Sequence, residues 1–133
     1  MTQQNQEDYL ITMYRLWEKS QEIRSVDIAN KLKIAKASVS EMLNKLSQRK
    51  YIIKTPYSNI KFTSKGRILA KKLTFKHRVI EVFLKDVLEC KQRNIHQEAH
   101  KLEHAFSDQA IKKLAKLLNN PKNCPDGDKI PKI

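Results

Sequence analysis

The sequence predicts a mostly α chain in two parts: three helices and a two-stranded hairpin over residues 1–63, then a helical part over 64–133. Three observations carry this. Only two of the 133 residues are glycine, too few for a Gly-rich phosphate loop or for the many tight turns of a β-rich fold. Apolar residues recur at three- and four-residue spacing along most of the chain. One pair of short β-prone runs, midway, flanks a turn-forming segment.

The elements follow in order. From Asp8 to Lys19, the residues Tyr9, Leu10, Met13, Tyr14, Leu16 and Trp17 form the apolar stripe of a first amphipathic helix. Ser25 reads as the N-cap of a short second helix, given by Val26, Ile28, Ala29 and Leu32 and ending near Lys33. After the tight turn Lys33-Ile34-Ala35, a third helix is expected from Lys36 to Lys50. Val39, Met42, Leu43 and Leu46 point inward there, and Ser38, Ser40, Glu41, Asn44 and Lys45 outward. The runs Tyr51–Lys54 and Ile60–Phe62, around Pro56-Tyr57-Ser58-Asn59, read as a hairpin. Thr63 then caps a long helix from Ser64 to Glu89, in whose first turn Gly66 costs little. Two shorter helices follow, Ile95 to Phe106 and Asp108 to Leu118, with Ser107 as the cap between them; from Asn119 the composition is that of an irregular tail.

Helix, turn, helix, helix, hairpin is the order of a winged helix-turn-helix, in which the third helix enters the major groove and the hairpin touches the adjacent backbone. The formal net charge of +13 fits a polyanionic partner, either nucleic acid or an anionic membrane surface. Charge does not locate the contact surface: residues 1–62 hold 11 Lys+Arg against 6 Asp+Glu, and 63–133 hold 16 against 8. The expected DNA-contacting set is Lys36, Ala37, Ser38, Ser40, Glu41 and Lys45 on the third helix, with Asn59 and Lys61 on the wing. Ser38 and Ser40 suit phosphate, Ala37 a thymine methyl, and Glu41 the amino group of cytosine.

No run approaches the roughly 18 apolar residues of a membrane span. With a polar stretch at Met1–Glu7, no signal peptide, no membrane partner and a cytoplasmic location are expected. Cys90 and Cys124 are far apart and outside any Cys-x-x-Cys spacing, so they read as a buried thiol and a loop thiol.

All four histidines fall between positions 77 and 104. His77 and Glu81 are four apart on the long helix; His96, His100, Glu103 and His104 form one stripe on the next. Imidazoles and carboxylates stacked in this way can converge on one cation.

The segment Asn94–Asp108, NIHQEAHKLEHAFSD, resembles the metal-binding signature of the DtxR/MntR family of iron- and manganese-dependent repressors. Thr63-Ser64-Lys65-Gly66, Lys76-His77-Arg78, Glu7-Asp8-Tyr9-Leu10 and the tail Asn123–Pro131 match the same family in order and spacing. The resemblance implies a metal-responsive repressor of divalent-metal homeostasis, with residues 64–133 as a metal-binding and dimerisation domain. It implies a primary site of Asp8, His100, Glu103 and His104 and an ancillary site of His77, Glu81 and His96. Two departures matter. His100 stands where the family has Cys or Glu, which moves the site toward nitrogen donors. Ile11 stands where manganese-type members often carry a second carboxylate, a departure from their paired-metal site.

The donor set ranks Mn²⁺ or Fe²⁺ first and Zn²⁺ close behind. The expected partners are an operator in double-stranded DNA and a second copy of the chain, since the apolar positions of residues 64–118 exceed what a lone helical hairpin buries. No organic small-molecule substrate and no enzymatic activity are expected. Two other readings fit parts of the pattern. One is a winged-helix regulator answering a non-metal signal, with structural histidines. The other is a metal-dependent hydrolase, for which the sequence offers no nucleophile elbow or separate acid/base pair.

Overall fold

The computed structural model describes residues 3–55 and 59–133. Its elements are α1 (Gln3–Ser20), α2 (Ser25–Leu32), α3 (Lys36–Gln48), β1 (Ile52–Lys54), β2 (Ile60–Phe62), α4 (Ser64–Asp86), α5 (Gln92–Glu103) and α6 (Asp108–Leu117). The chain packs as two compact units, Met1–Lys71 and Lys72–Ile133. The expected mostly helical, winged architecture is observed. The turn residues Pro56, Tyr57 and Ser58 lie outside the described residues.

In the first unit the predicted stripes become one core. Tyr9, Leu10, Met13 and Tyr14 of α1, Ile28 and Ala29 of α2, and Val39, Met42, Leu43 and Leu46 of α3 are all buried, together with Ile23, Ile52 and Ile60. Each fully buried Leu, Ile or Met contributes about 2 kcal/mol of transfer free energy, so these helices are held by packing more than by propensity. α1 begins earlier than the stripe suggested, at Gln3, because Gln6 is also buried. Ser25 is not a cap: it is the first residue of α2, Arg24 holds the cap position, and no side chain bonds the helix end. The tight turn is formed by Lys33 in the left-handed region at φ 56°, where its N–H and that of Ile34 both reach the Ala29 carbonyl.

The wing is an antiparallel pair with Ile52 opposite Phe62, Ile53 opposite Lys61 and Lys54 opposite Ile60. It is anchored at both ends of the strands: the Ile60 N–H donates to Ile23 O (3.1 Å) and Tyr51 N–H to Leu46 O (3.0 Å). Thr63 caps α4 as expected. Its Oγ1 accepts from Gly66 N–H at 3.0 Å and donates to Lys50 O at 2.6 Å. Gly66, however, is more than a tolerated residue. A Cβ placed there would lie 1.8 Å from Tyr51 O, so the start of α4 presses backbone to backbone against the turn between α3 and β1. Arg67 stacks its guanidinium 4.5 Å from the Trp17 ring centroid. These contacts carry the first residues of α4 into the first unit.

In the second unit Val79, Ile80, Val82 and Leu84 of α4 pack with Ile95 and Ala99 of α5, Ile111 and Ala115 of α6, and Ile130. Ile68 of α4 is 61 % exposed. α4 ends at Asp86, earlier than expected, since Glu89 takes φ 54° and Cys90 N–H turns back to Leu84 O. α5 runs from Gln92 to Glu103, offset toward the N-terminus from the expected span. Ser107 caps α6, accepting from Ala110 N–H at 3.0 Å. The tail is irregular but tied down: Asn123 bridges Lys129, Ile130 N–H reaches Lys122 O, and the Arg78 guanidinium donates to Lys129 O at 2.6 Å. The two thiols exchange the expected roles. Cys124 is buried and Cys90 only half-buried, because the docked tail folds Cys124 inward.

Replacing Gly66 by Ala should destabilise the protein by about 3 kcal/mol through backbone overpacking. The expected observation is a lower urea midpoint with little change in slope; a midpoint within error of the parent would show that the approach of α4 to the α3–β1 turn can widen freely.

Candidate metal centre

α4 and α5 bury charged groups that an apolar core would exclude. His77 and Glu81, one turn apart on α4, are 4 % and 1 % exposed, and Glu103 of α5 is 3 % exposed. Such groups persist only when paired. His77 Nδ1 lies 2.5 Å from Glu103 Oε2 and its Nε2 lies 3.5 Å from Glu81 Oε1; His96 Nδ1 approaches Glu81 Oε2 at 3.7 Å. The His77 and His96 rings meet edge to face with centroids 4.9 Å apart.

These contacts set the ionisation of the cluster. Burial alone would discourage the His77 charge, but hydrogen bonds to Glu103 and Glu81 outweigh it and raise its pKa to about 9. Burial likewise opposes ionisation of Glu81, and its bonds to His77 and His96 overcome it, holding the carboxyl down to about 2. His77 is therefore held as an imidazolium and Glu81 as a carboxylate.

The geometry suits a cation. His77, Glu81 and His96 can each turn one donor atom to within 4.8 Å of the others. His100, Glu103 and His104 meet the same test, with the His100 and His104 rings edge to face at 5.3 Å. Glu81 Oε1 is buried and meets His77 Nε2 only at 3.5 Å, outside well-formed hydrogen-bond geometry, an under-satisfied lone-pair site of the kind a cation satisfies. His96, exposed over 60 % of its side chain, borders solvent.

Sequence reasoning missed two neighbours: donor atoms of Cys124 and Asp126 also lie within 4.8 Å of Glu81. The signal was present only in the tail's family-like pattern, since no spacing links 81 to 124. Burial raises the Cys124 pKa. The α5–α6 turn that carries His104 is clipped to α4. Lys76 Nζ donates to Phe106 O at 2.8 Å and pairs with Asp108 at 3.2 Å, while Lys72 pairs with Asp108 at 2.7 Å. Asp108 is correspondingly held below its usual pKa by those two lysines, Lys72 first.

The remaining expected residues lie in the first unit. Asp8 is half-buried on α1 and lines a hollow there with Ser38 and Glu41 of α3. Lys36, Ala37, Ser38, Ser40 and Glu41 are exposed along α3, whereas Lys45 is half-buried at its edge; Asn59 and Lys61 are exposed on the wing.

Three helices with a wing, followed by helices that bury an imidazole–carboxylate cluster, define a metal-responsive DNA-binding regulator. The chain belongs to the iron dependent repressor family. Residues 1–60 match the family's N-terminal DNA binding domain and residues 63–132 its metal binding and dimerisation domain. The chain is 37 % identical over 112 residues to the HTH-type transcriptional regulator MJ0568 of Methanocaldococcus jannaschii, covering 84 % of this chain and 90 % of that one. To the HTH-type transcriptional regulator MntR of Bacillus subtilis it is 31 % identical over 118 residues, 89 % of this chain and 82 % of that one. The solved structure of the manganese regulator SloR is similar with a TM-score of 0.84 at 42 % identity over 96 % of this chain, which spans 59 % of the SloR chain.

The metal-free protein should be most stable near pH 5.5. Glu81, depressed from 4.5 to about 2, contributes fully above 4.5 and loses its contribution as pH falls toward 2. His77, raised from 6.5 to about 9, contributes fully below 6.5 and loses it as pH rises through 9. Urea midpoints of chelator-treated protein should fall on both sides. His77→Gln should flatten the alkaline limb relative to the parent, and identical alkaline limbs would contradict the assignment.

Proposed function

We propose that this chain represses genes of manganese or iron homeostasis by binding operator DNA as a homodimer when a divalent metal is present. The observation that carries the metal reading is the buried Glu81 carboxylate between two imidazoles, with His77 Nε2 3.5 Å from Oε1 and His96 Nδ1 3.7 Å from Oε2. The related SloR is named a manganese regulator and IdeR an iron-dependent repressor, and ScaR has been solved with Zn²⁺ and with Cd²⁺. Mn²⁺ or Fe²⁺ fits the nitrogen and oxygen donors best, with Zn²⁺ close behind.

The ligand assignment is His77, Glu81 and His96 for one position and Asp8, His100, Glu103 and His104 for the other. The second set takes one donor from α1, in the DNA-binding domain, and three from residues 63–132. A shared ion of this kind favours the DNA-competent state only by binding it more tightly than the alternative, and DNA must then tighten metal binding by the same factor. Lys36 and Lys61 supply backbone attraction, Ser38, Ser40, Lys45 and Asn59 support phosphate contacts, and Ala37 and Glu41 meet base edges. Binding rather than turnover is the activity, and the cytoplasm is where operator DNA and reduced metal meet.

Asp8→Ala should leave a folded protein that still takes up metal through the helical unit but gains no DNA affinity from it, whereas Glu103→Ala and His104→Ala lose both. Calorimetry with Mn²⁺ and metal-dependent retention of a selected duplex decide this; an Asp8→Ala response equal to the parent's rules out the shared ion. Affinity should fall with salt at a log–log slope of about −0.9 per neutralised phosphate. Lys36→Ala and Lys61→Ala should each flatten the slope by about one such contact across all sequences, and an unchanged slope would remove that lysine from the backbone set.

A further inference from the structure

The exposed face of α3 is not centred where the short side chains of its first turn suggested. Buried Val39, Met42, Leu43 and Leu46 define the inner stripe. At about 100° per residue, the positions diametrically outside it are Ala37 and Gln48, with Asn44 and Glu41 each about 30° to one side, all exposed. Glu41 and Ser38 also line the hollow against α1, and Lys45 is half-buried on that same side, so Asn44 is the flanking position on the side away from α1. Asn44 stands about 10 Å along the axis from Ala37, roughly three base-pair steps of 3.4 Å.

Asn44 is also held. Lys54, the last residue of β1, donates its Nζ to Asn44 Oδ1 at 2.8 Å. An ammonium has three donors and no acceptor, so the chemistry of Lys54 itself decides which end of the amide it meets: the oxygen. The amide nitrogen, with its two hydrogens, is then the end left for a ligand on an exposed face. Strand β1 cannot drift, because it is registered against β2 and followed from Tyr51 N–H bonded to α3 at Leu46 O.

We propose that Asn44 reads a base edge in the major groove as a hydrogen-bond donor, and that Lys54 is the positioning residue that sets this polarity. The inference rests on the DNA-binding reading above. With Oδ1 engaged by the ammonium, Asn44 favours an edge made of acceptors, and guanine N7 and O6 form such an edge. An asparagine with both amide ends available pairs instead with adenine, donating to N7 and accepting from N6. Lys54 takes one of the two Oδ1 lone pairs and sets a positive charge beside the other, which disfavours the adenine N6 donor and favours the acceptor edge of guanine.

The experiment is selection from a randomised duplex pool with purified full chain and Mn²⁺, for the parent, Asn44→Ala, Lys54→Met and Lys54→Arg. Circular dichroism and melting temperature confirm that each variant folds. The parent is expected to enrich guanine at one position of each half-site roughly tenfold over other bases. Asn44→Ala should make that position alone degenerate, Lys54→Met should shift it toward adenine, and Lys54→Arg, still a donor without an acceptor, should retain guanine. A motif unchanged by Asn44→Ala overturns the base assignment, and guanine retained in Lys54→Met overturns the positioning role. A parent that enriches no duplex overturns the DNA-binding reading itself, a result distinct from either.

Discussion

The hydrogen-bonded charge cluster of His77, Glu81 and Glu103 is the constraint around which the second unit is built. Three ionisable groups, each at most 4 % exposed, would each cost several kcal/mol to bury alone. Paired they persist, because His77 lies against both carboxyl groups, at 2.5 Å from one and 3.5 Å from the other. That pairing joins α4 to α5 at the level of the apolar contacts of Val79, Ile80, Ile95 and Ala99. Removal of one partner leaves an uncompensated buried charge, which typically destabilises by about 3–5 kcal/mol.

The same cluster is the one proposed above to hold a divalent metal. Metal binding there would require His77 to give up its proton, so folding and metal binding would draw on one set of groups. Lys76 and Lys72, through Phe106 O and Asp108, hold the α5–α6 turn so that His104 and Glu103 keep their places. Hydrogen bonds and ion pairs outside a ligand set commonly fix the ligands' orientation in this way.

In the first unit, backbone contacts do what charge does in the second. Gly66 lets α4 start against Tyr51 O, Thr63 bonds both Lys50 O and Gly66 N–H, and Tyr51 N–H closes onto Leu46 O. The reading helix, the wing and the start of α4 therefore form one braced piece, in which a side chain of β1 can hold a side chain of α3 in a set orientation.

Periodicity by itself determined the helical class, the order of elements and most of the first core, because a stripe at three- and four-residue spacing has one stable use, to face a core. The sequence likewise showed the histidine–carboxylate clustering, since positions three and four apart must share a helix face. It could not show that Cys124 and Asp126 approach Glu81, that Cys124 rather than Cys90 is the buried thiol, or that Gly66 is required by a carbonyl from another element. Nor could it rank Asn44 above its neighbours on α3. Each of these depends on segments distant in sequence meeting in space, and local pattern carries no record of which backbone or side chain arrives from elsewhere; only tertiary packing decided them.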